Sequence, residues 1–232
     1  MGPVSPTTTG ATPIRLGPGE LLASLGELDC VRAAPMYAAF GFPVVPMHTA
    51  LPGGRCSCPE QACPDPGKHP RLRDWQRLAA VDPAVVGGWW RRWPEANLAL
   101  MTGRRFDVLD LDGDQGMEAL RAVLSIAPTE HPGPMARTGG GGWHLLYAPL
   151  DSAIASGCSR GRTGGAAGGL IVAPPSRHAS GHRYRWARPL TPTLPEVPAR
   201  LRRLLTQRRP RGPPSPQPPH LPAAVAATGG RL

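Results

Sequence analysis

The residues best placed to do chemistry fall in two short stretches. Phe-Asp-Val-Leu-Asp-Leu-Asp-Gly at 106–113 has the pattern of an apolar strand that ends in two carboxylates, Asp110 and Asp112. Side chains two apart on a strand point the same way, so both carboxylates face one side at the strand's end. Paired carboxylates at an open strand end hold a divalent cation, Mg²⁺ or Mn²⁺, against a phosphate. The second stretch, Arg137-Thr-Gly-Gly-Gly-Gly-Trp-His144, is a glycine-rich turn that delivers a histidine at the start of another strand. Glycines let a backbone approach a ligand closely, with amides free for anionic oxygens. Arg137, Thr138, Gly139, Gly140, Gly141 and His144 are therefore candidate contacts to a nucleoside triphosphate.

Other readings of these stretches compete. Asp112 could cap a following helix on a solvated strand end. An EF-hand loop starting at Asp110 would need Gly at 115 and Glu at 121, where the chain has Gln115 and Arg121. An Asp-x-Asp-Gly phosphatase of the haloacid-dehalogenase type usually has its motif on the first strand, followed by Thr or Val. Here it lies mid-chain and Asp114 follows. No Gly-Lys-Ser/Thr follows the glycines, which excludes a P-loop. His144 alone is open to a structural reading.

Cys56, Cys58, Cys63 and His69 fall within fourteen residues and offer the four soft ligands of a structural Zn²⁺. The segment 52–74 around them is too rich in Gly and Pro to build a core, so a metal would give it a reason to be ordered. The alternative is a loop of reduced thiols. Lys68, inside Gly-Lys-His-Pro, is the only lysine in the chain and could reach a phosphate as a point charge. Arg177, His178, His182, Arg183 and Arg185 line an expected hairpin that could grip a nucleic-acid backbone or form a solvated face. Trp89, Trp90 and Trp93 could stack on bases, but their helical spacing favours packing a helix on the sheet.

The elements that must position these groups can be read from periodicity and breakers. Apolar spacing predicts helix over 19–41, interrupted at Pro35. A short strand follows at 42–47. Asp82-Pro83 starts a helix that stops before Pro94. Strands are expected at 98–102, 106–112, 143–148 and 169–173, and a helix at 115–125. The segment 182–187 alternates like a half-buried strand, with Ser180-Gly181 as its turn from 169–173. Residues 152–168 look like a Gly/Ser/Ala-rich loop. A short basic helix is expected at 200–205. The order is βαβ-like and then β-rich, which predicts an α/β or α+β fold with a mixed sheet. Residues 1–18 are expected to be disordered, 19–196 to form the domain, and 197–232 to be a basic, proline-rich disordered tail. From Pro210 to Pro222, seven of thirteen residues are proline, which precludes helix there.

Composition narrows the function classes. The chain has 232 residues and a formal net charge of +10. Seven arginines and no acid lie in 197–232, so the preceding 196 residues carry only 26 − 7 = 19 basic against 16 acidic groups. The body is mildly basic, and the tail could hold phosphate non-specifically. No run of eighteen apolar residues predicts a membrane span. The N-terminus has no basic segment followed by an apolar one, so no secretory signal is expected and the expected location is cytoplasmic. Five cysteines without a signal argue against a disulfide framework, and Cys30 and Cys158 are expected to be plain cysteines.

Five phrases stand in a familiar order: Pro-Gly-Lys-His-Pro (66–70), Trp-Trp-Arg-Arg-Trp-Pro-Glu-Ala-Asn (89–97), Val-Leu-Asp-Leu-Asp-Gly (108–113), Thr-Gly-Gly-Gly-Gly-Trp-His (138–144) and Val-Ala-Pro-Pro-Ser (172–176). Over roughly 20–190 the chain resembles the N-terminal domain of bifunctional DNA primase/polymerases, in the archaeo-eukaryotic primase superfamily. The resemblance implies an α+β fold with an RRM-like catalytic sheet flanked by helices, and a cysteine-rich loop like the zinc stems of that superfamily. It implies primer synthesis or extension on a DNA template from NTPs or dNTPs. Asp110 and Asp112 would hold the catalytic cation, His144 would contact the triphosphate, and Lys68 would lie near nucleotide or template. A separate replicative helicase is an implied partner. The family usually adds a third acidic residue before its Ala-Pro-Pro-Ser segment. Here no Asp or Glu occurs between Asp151 and Glu196, and Thr163 stands near the missing position. Asp107, Asp114 and Asp151 are the substitutes to consider. A degenerate, non-catalytic nucleic-acid-binding relative is the first rival reading, and a metal-dependent phosphatase or nuclease the second.

Overall fold

The computed structural model of the chain describes residues 17–125, 130–149 and 169–206. The expected disorder of residues 1–16, the whole loop at 152–168 and the tail beyond 206 lie outside the described residues, as do Asp151, Cys158 and Thr163. The first half holds α1 (Pro18–Ser24), α2 (Cys30–Ala39), β1 (Val44–Met47), β2 (Ala50–Leu51), β3 (Arg55–Cys56), α3 (Trp75–Leu78), α4 (Pro83–Arg92) and β4 (Asn97–Met101). The second half holds β5 (Asp107–Leu111), α5 (Gly113–Leu124), β6 (Met135–Arg137), β7 (Trp143–Tyr147), β8 (Leu170–Val172), β9 (Arg185–Arg188) and α6 (Ala199–Thr206).

Two antiparallel sheets carry the architecture. One has the order β1-β4-β8, the other β5-β7-β6-β9, and a small β2-β3 pair stands apart. Every strand pairing is antiparallel, so the fold is α+β and the expected mixed sheet is corrected. Strands β5 and β6 flank β7 and run the same way, connected through α5. That is a split β-α-β unit, the arrangement an RRM-like sheet requires.

Alternation along the strands sends each sheet's two faces into different cores. Val44, Leu98, Leu100 and Ile171 of the first sheet join Val108 and Leu146 of the second in a core closed by Tyr37 and Trp90. The other face of the second sheet, with Leu109, Leu111, Leu145 and Tyr147, packs on Leu120 of α5 and on Val197 and Leu201. Burying two aliphatic residues of that size contributes about 3–6 kcal/mol as an upper bound. Val197 and Leu201, just past the boundary expected at 196, pack on this face.

The tryptophans follow the packing reading. Trp90 is buried and donates its indole N–H to the Ala96 carbonyl at 3.1 Å, while Trp89 and Trp93 pack at the edge of the core. Helix α4 starts at Pro83 with Asp82 accepting the Ala84 amide, as Asp-Pro predicts. Helix α2 runs through Pro35 without the expected interruption. The burial of Ala33, Ala34, Tyr37 and Ala38 on both sides of Pro35 outweighs the one lost backbone bond.

A second correction concerns the expected hairpin. Strand β8 pairs with β4 and strand β9 with β6, so the chain crosses between sheets where a two-strand hairpin was expected. The turn itself is present, with the Arg177–Arg183 bridge and the His178 amide donating to the His182 carbonyl at 2.8 Å. Gly181 takes φ +87°, which a side chain there would strain. Among the described residues, no helix is long and apolar enough to cross a membrane.

Candidate functional site

The register of β5 on β7 places Asp110 directly opposite His144. The His144 Nε2 lies 3.5 Å from the Asp110 Oδ1, an electrostatic contact rather than a short hydrogen bond. His144 is buried while Asp110 stays partly open to solvent. Burial, and then the charge of Lys68, hold the His144 pKa down to about 4. A carboxylate neighbour alone would raise it. We take the ring as neutral, because its burial and the lysine act against the proton together. Its Nδ1 is buried without a hydrogen-bond partner.

Asp110 is pushed up from the ordinary carboxylate range by burial and by the Asp112 charge, against a pull from Lys68. The two carboxylates therefore sit close enough to repel, which a cation would relieve. Asp112 occupies the N-cap position of α5, yet its side chain accepts no cap hydrogen bond. The competing reading of Asp112 as a helix cap gains no support from this geometry. Helix α5 begins at Gly113, two residues before the expected start. Among the described residues, the only close grouping of three or more metal-ligating side chains is the cysteine one, so no third acid joins Asp110 and Asp112.

The glycine turn joins β6 to β7. Its Thr138 amide donates to the Gly142 carbonyl, the Gly141 amide to the Thr138 carbonyl, and the Gly142 amide to the Thr138 Oγ1. This internal bonding uses the Gly141 and Gly142 amides and not those of Gly139 and Gly140. Two of the glycines are needed for contacts inside the protein. A Cβ on Gly142 would fall 2.5 Å from the Leu111 carbonyl oxygen, which lets the turn close onto the carboxylate strand. A Cβ on Gly139 would run into the His178 side chain.

Gly139 through His178 brings the turn against the second one. Ser180 donates its hydroxyl to the Gly139 carbonyl at 2.7 Å. Between the two turns lies a cleft of about 760 Å³, lined by Arg137, Thr138, Gly139, Gly140 and Gly141 on one wall and by residues of 177–185, including Arg177, His178, Arg183 and Arg185, on the other. No acidic residue lines it, so its field suits an anion. The Arg137 guanidinium lies over the Trp143 ring at 4.6 Å, which steadies it on its wall of the cleft.

Sequence reasoning missed Tyr184. It is buried, with its ring 6.0 Å from that of His144 and 6.2 Å from that of His178. Burial and the charge of Asp110 hold its hydroxyl well above the ordinary phenol range. The alternation noted at 182–187 carried the signal, since it puts residue 184 on the inward face. Lys68, whose placement the sequence left open, acts by its charge on Asp110, His144 and His178.

The cysteine segment forms a second site. Ligand atoms of Cys56, Cys58, Cys63 and His69 all lie within 4.8 Å of one another. The His69 Nε2 is 3.4 Å from the Cys56 Sγ and 3.3 Å from the Cys63 Sγ. A tetrahedral Zn²⁺ spaces such atoms about 3.5–3.8 Å apart, so the four residues fit it. Burial raises the Cys56 thiol, but the Cys58 and Gly67 amides and the His69 ring more than offset this and bring it down to about 7. His48 stacks on His69 at 4.5 Å, and Arg71 donates to the Met47 carbonyl and to the Thr49 and Ser57 hydroxyls. These contacts orient the ligand loop from behind.

The burial of His144 predicts a pH effect. Its folded pKa lies below that of the unfolded chain, so below about 6.5 the unfolded state binds more protons. Stability is full above that pH and falls as pH drops toward about 4, by on the order of 3 kcal/mol. Urea unfolding without divalent cations, at pH 7 and pH 4.5, should show a steeper acid loss for wild type than for His144→Gln. Parallel profiles would refute a buried neutral His144.

Comparison with known proteins adds the family. Residues 34–200 match the family model described as "Bifunctional DNA primase/polymerase, N-terminal". No curated protein matches the chain. The matched span runs from within α2 to within α6, so it takes in both sheets, the cysteine loop, the carboxylate strand and both walls of the cleft. With most of the chain and all of the site inside that span, this protein belongs to the bifunctional DNA primase/polymerase N-terminal family.

Proposed function

We propose that this chain is a nucleotidyltransferase that makes or extends primers on a DNA template. The observation that carries the reading is the union of two features. A carboxylate pair with a neutral histidine and a lone lysine stands beside a cleft lined by arginines and free of acids. The first suits a cation and a triphosphate; the second suits a polyanion.

The roles follow from the chemistry of each group. Asp110 and Asp112 would hold Mg²⁺ or Mn²⁺, which would supply neutralisation of phosphate charge and activation of the attacking hydroxyl. The bond formed joins a primer 3′-oxygen to the α-phosphorus, and the bond broken releases pyrophosphate. His144, neutral and buried, can donate one N–H without adding a charge that would compete with the cation. Lys68 balances negative charge beside the carboxylates. The Gly139 and Gly140 amides offer donors to phosphate oxygens. Arg177, His178, Arg183 and Arg185 would hold the template or primer backbone. Cys56, Cys58, Cys63 and His69 would hold Zn²⁺ and order their loop. NTP and dNTP substrates, a cytoplasmic location and a helicase partner are parts of the same proposal.

One observation favours a second reading, a non-catalytic template-binding relative: no third acid accompanies the pair among the described residues. Extension of a labelled primer-template with dNTPs and Mg²⁺ or Mn²⁺ separates the readings. Metal-dependent extension is expected. Template binding without extension would establish the binding module, and hydrolysis without added nucleotide would mark a phosphatase or nuclease.

A further inference from the structure

Asn97 connects the cysteine site to the cleft. Asn97 is the first residue of β4 and is buried. Its Oδ1 accepts the Arg177 amide at 2.9 Å, and its Nδ2 donates to the Arg177 carbonyl at 2.7 Å and to the Gly67 carbonyl at 3.3 Å. The side chain thus pairs with Arg177 as a strand backbone would, and grips a second segment besides. Ser176 reinforces the pairing by accepting the Leu98 amide and donating to its carbonyl.

Gly67 sits in the arch between the ligands Cys63 and His69, next to Lys68. It takes φ +75°, and a Cβ there would lie 2.8 Å from the Ala50 nitrogen and 2.9 Å from the Asn97 Nδ2. Its amide donates to the Cys56 Sγ at 3.5 Å. One residue therefore touches a metal ligand through its N–H and, through its C=O, the Asn97 side chain that also holds Arg177 of the cleft wall. Lys68 follows it directly.

We propose that the Cys56/Cys58/Cys63/His69 centre tunes the nucleotide site at a distance. By fixing the arch it holds Lys68, and Asn97 is the positioning residue that locks the arch to the Arg177–Arg185 wall. The inference rests on the nucleotide reading given above. It makes zinc occupancy and nucleotide affinity two readings of one structural state, since the same short arch carries a metal ligand at each end and the lysine within.

The test measures dATP affinity with Mg²⁺ by calorimetry, and zinc content by elemental analysis, on the same purified chain. Asn97→Ala should keep its zinc and bind dATP about tenfold more weakly, the cost of one misplaced charged contact. Lys68→Ala should lose about the same, and the double variant no more than either single one. Zinc-stripped wild type should show the same loss and recover when Zn²⁺ is returned. If Asn97→Ala does not fold, Gly67→Ala displaces the arch from the other side and should give the same pattern. Wild-type affinity in a folded arch variant, or losses that add to about a hundredfold in the double variant, would overturn the inference. Wild type that binds no dATP at all would remove the nucleotide reading, and this inference with it.

Discussion

Asp110→Asn is expected to cut primer extension at least about a thousandfold while leaving the fold intact. The substitution keeps the shape of the side chain and removes the charge that would hold the cation. Loss of about 4 kcal/mol of transition-state stabilisation gives that factor, and metal contacts to phosphoryl groups are worth that much. The stability consequence has the opposite sign. Burial and Asp112 already disfavour the Asp110 charge, so its folded pKa stands above its unfolded one. A carboxyl of that kind contributes stability below its unfolded pKa and loses it as pH rises through the folded value. At neutral pH without divalent cations, Asp110→Asn should therefore melt no lower than wild type, and somewhat higher. Adding Mg²⁺ should raise the melting temperature of wild type and not of the variant. Extension rates with Mg²⁺ and Mn²⁺, beside melts with and without cation, check both halves. A variant that keeps more than a tenth of wild-type activity would take Asp110 out of the cation site.

The second large effect is expected at the cysteine loop. Between residues 52 and 74 only Gly67 is buried, so the segment has no apolar core to hold it. Structural zinc contributes about 10 kcal/mol or more to folding in small peptides, and a loop without a core depends on it most. Purified protein should carry about one zinc per chain, falling to near zero in Cys58→Ser. Chelation should expose Arg55 and Lys68 to trypsin at least about a hundredfold faster than in the loaded protein, with the rest of the domain intact. A loop equally resistant after metal removal would show that Arg71 and the His48–His69 stack suffice to order it.

What the chain disclosed in advance depended on local chemistry. The α4 start, the carboxylate strand, the glycine turn and the ligand spacing of the cysteines are all signalled within a few residues, and those segments were legible. The strand partners were not. Strands β8 and β9 follow each other closely in sequence, yet they join different sheets, because Asn97 and Ser176 supply the pairing that carries the chain across. No short-range pattern marks a side chain as a surrogate strand. Tyr184 and Asn97 escaped notice for the same reason, since their significance lies in contacts with distant residues. The glycine turn is required by packing inside the protein as well as by any ligand. Gly139 and Gly142 are held to glycine by His178 and by the Leu111 carbonyl, which a reading of ligand approach alone does not foresee. Pro35 does not interrupt α2, because core burial along the helix outweighs a single missing donor.

Lys68 has one more consequence. Every other basic side chain in the chain is an arginine, whose guanidinium does not react with amine-directed acylating reagents at neutral pH. The chain thus carries one ε-amine, and its charge reaches Asp110, His144 and His178. Acylation of that amine, separated by mass from any α-amine product, makes Lys68 a built-in chemical reporter. Protection by an added ligand maps occupancy of this one place, without an engineered label.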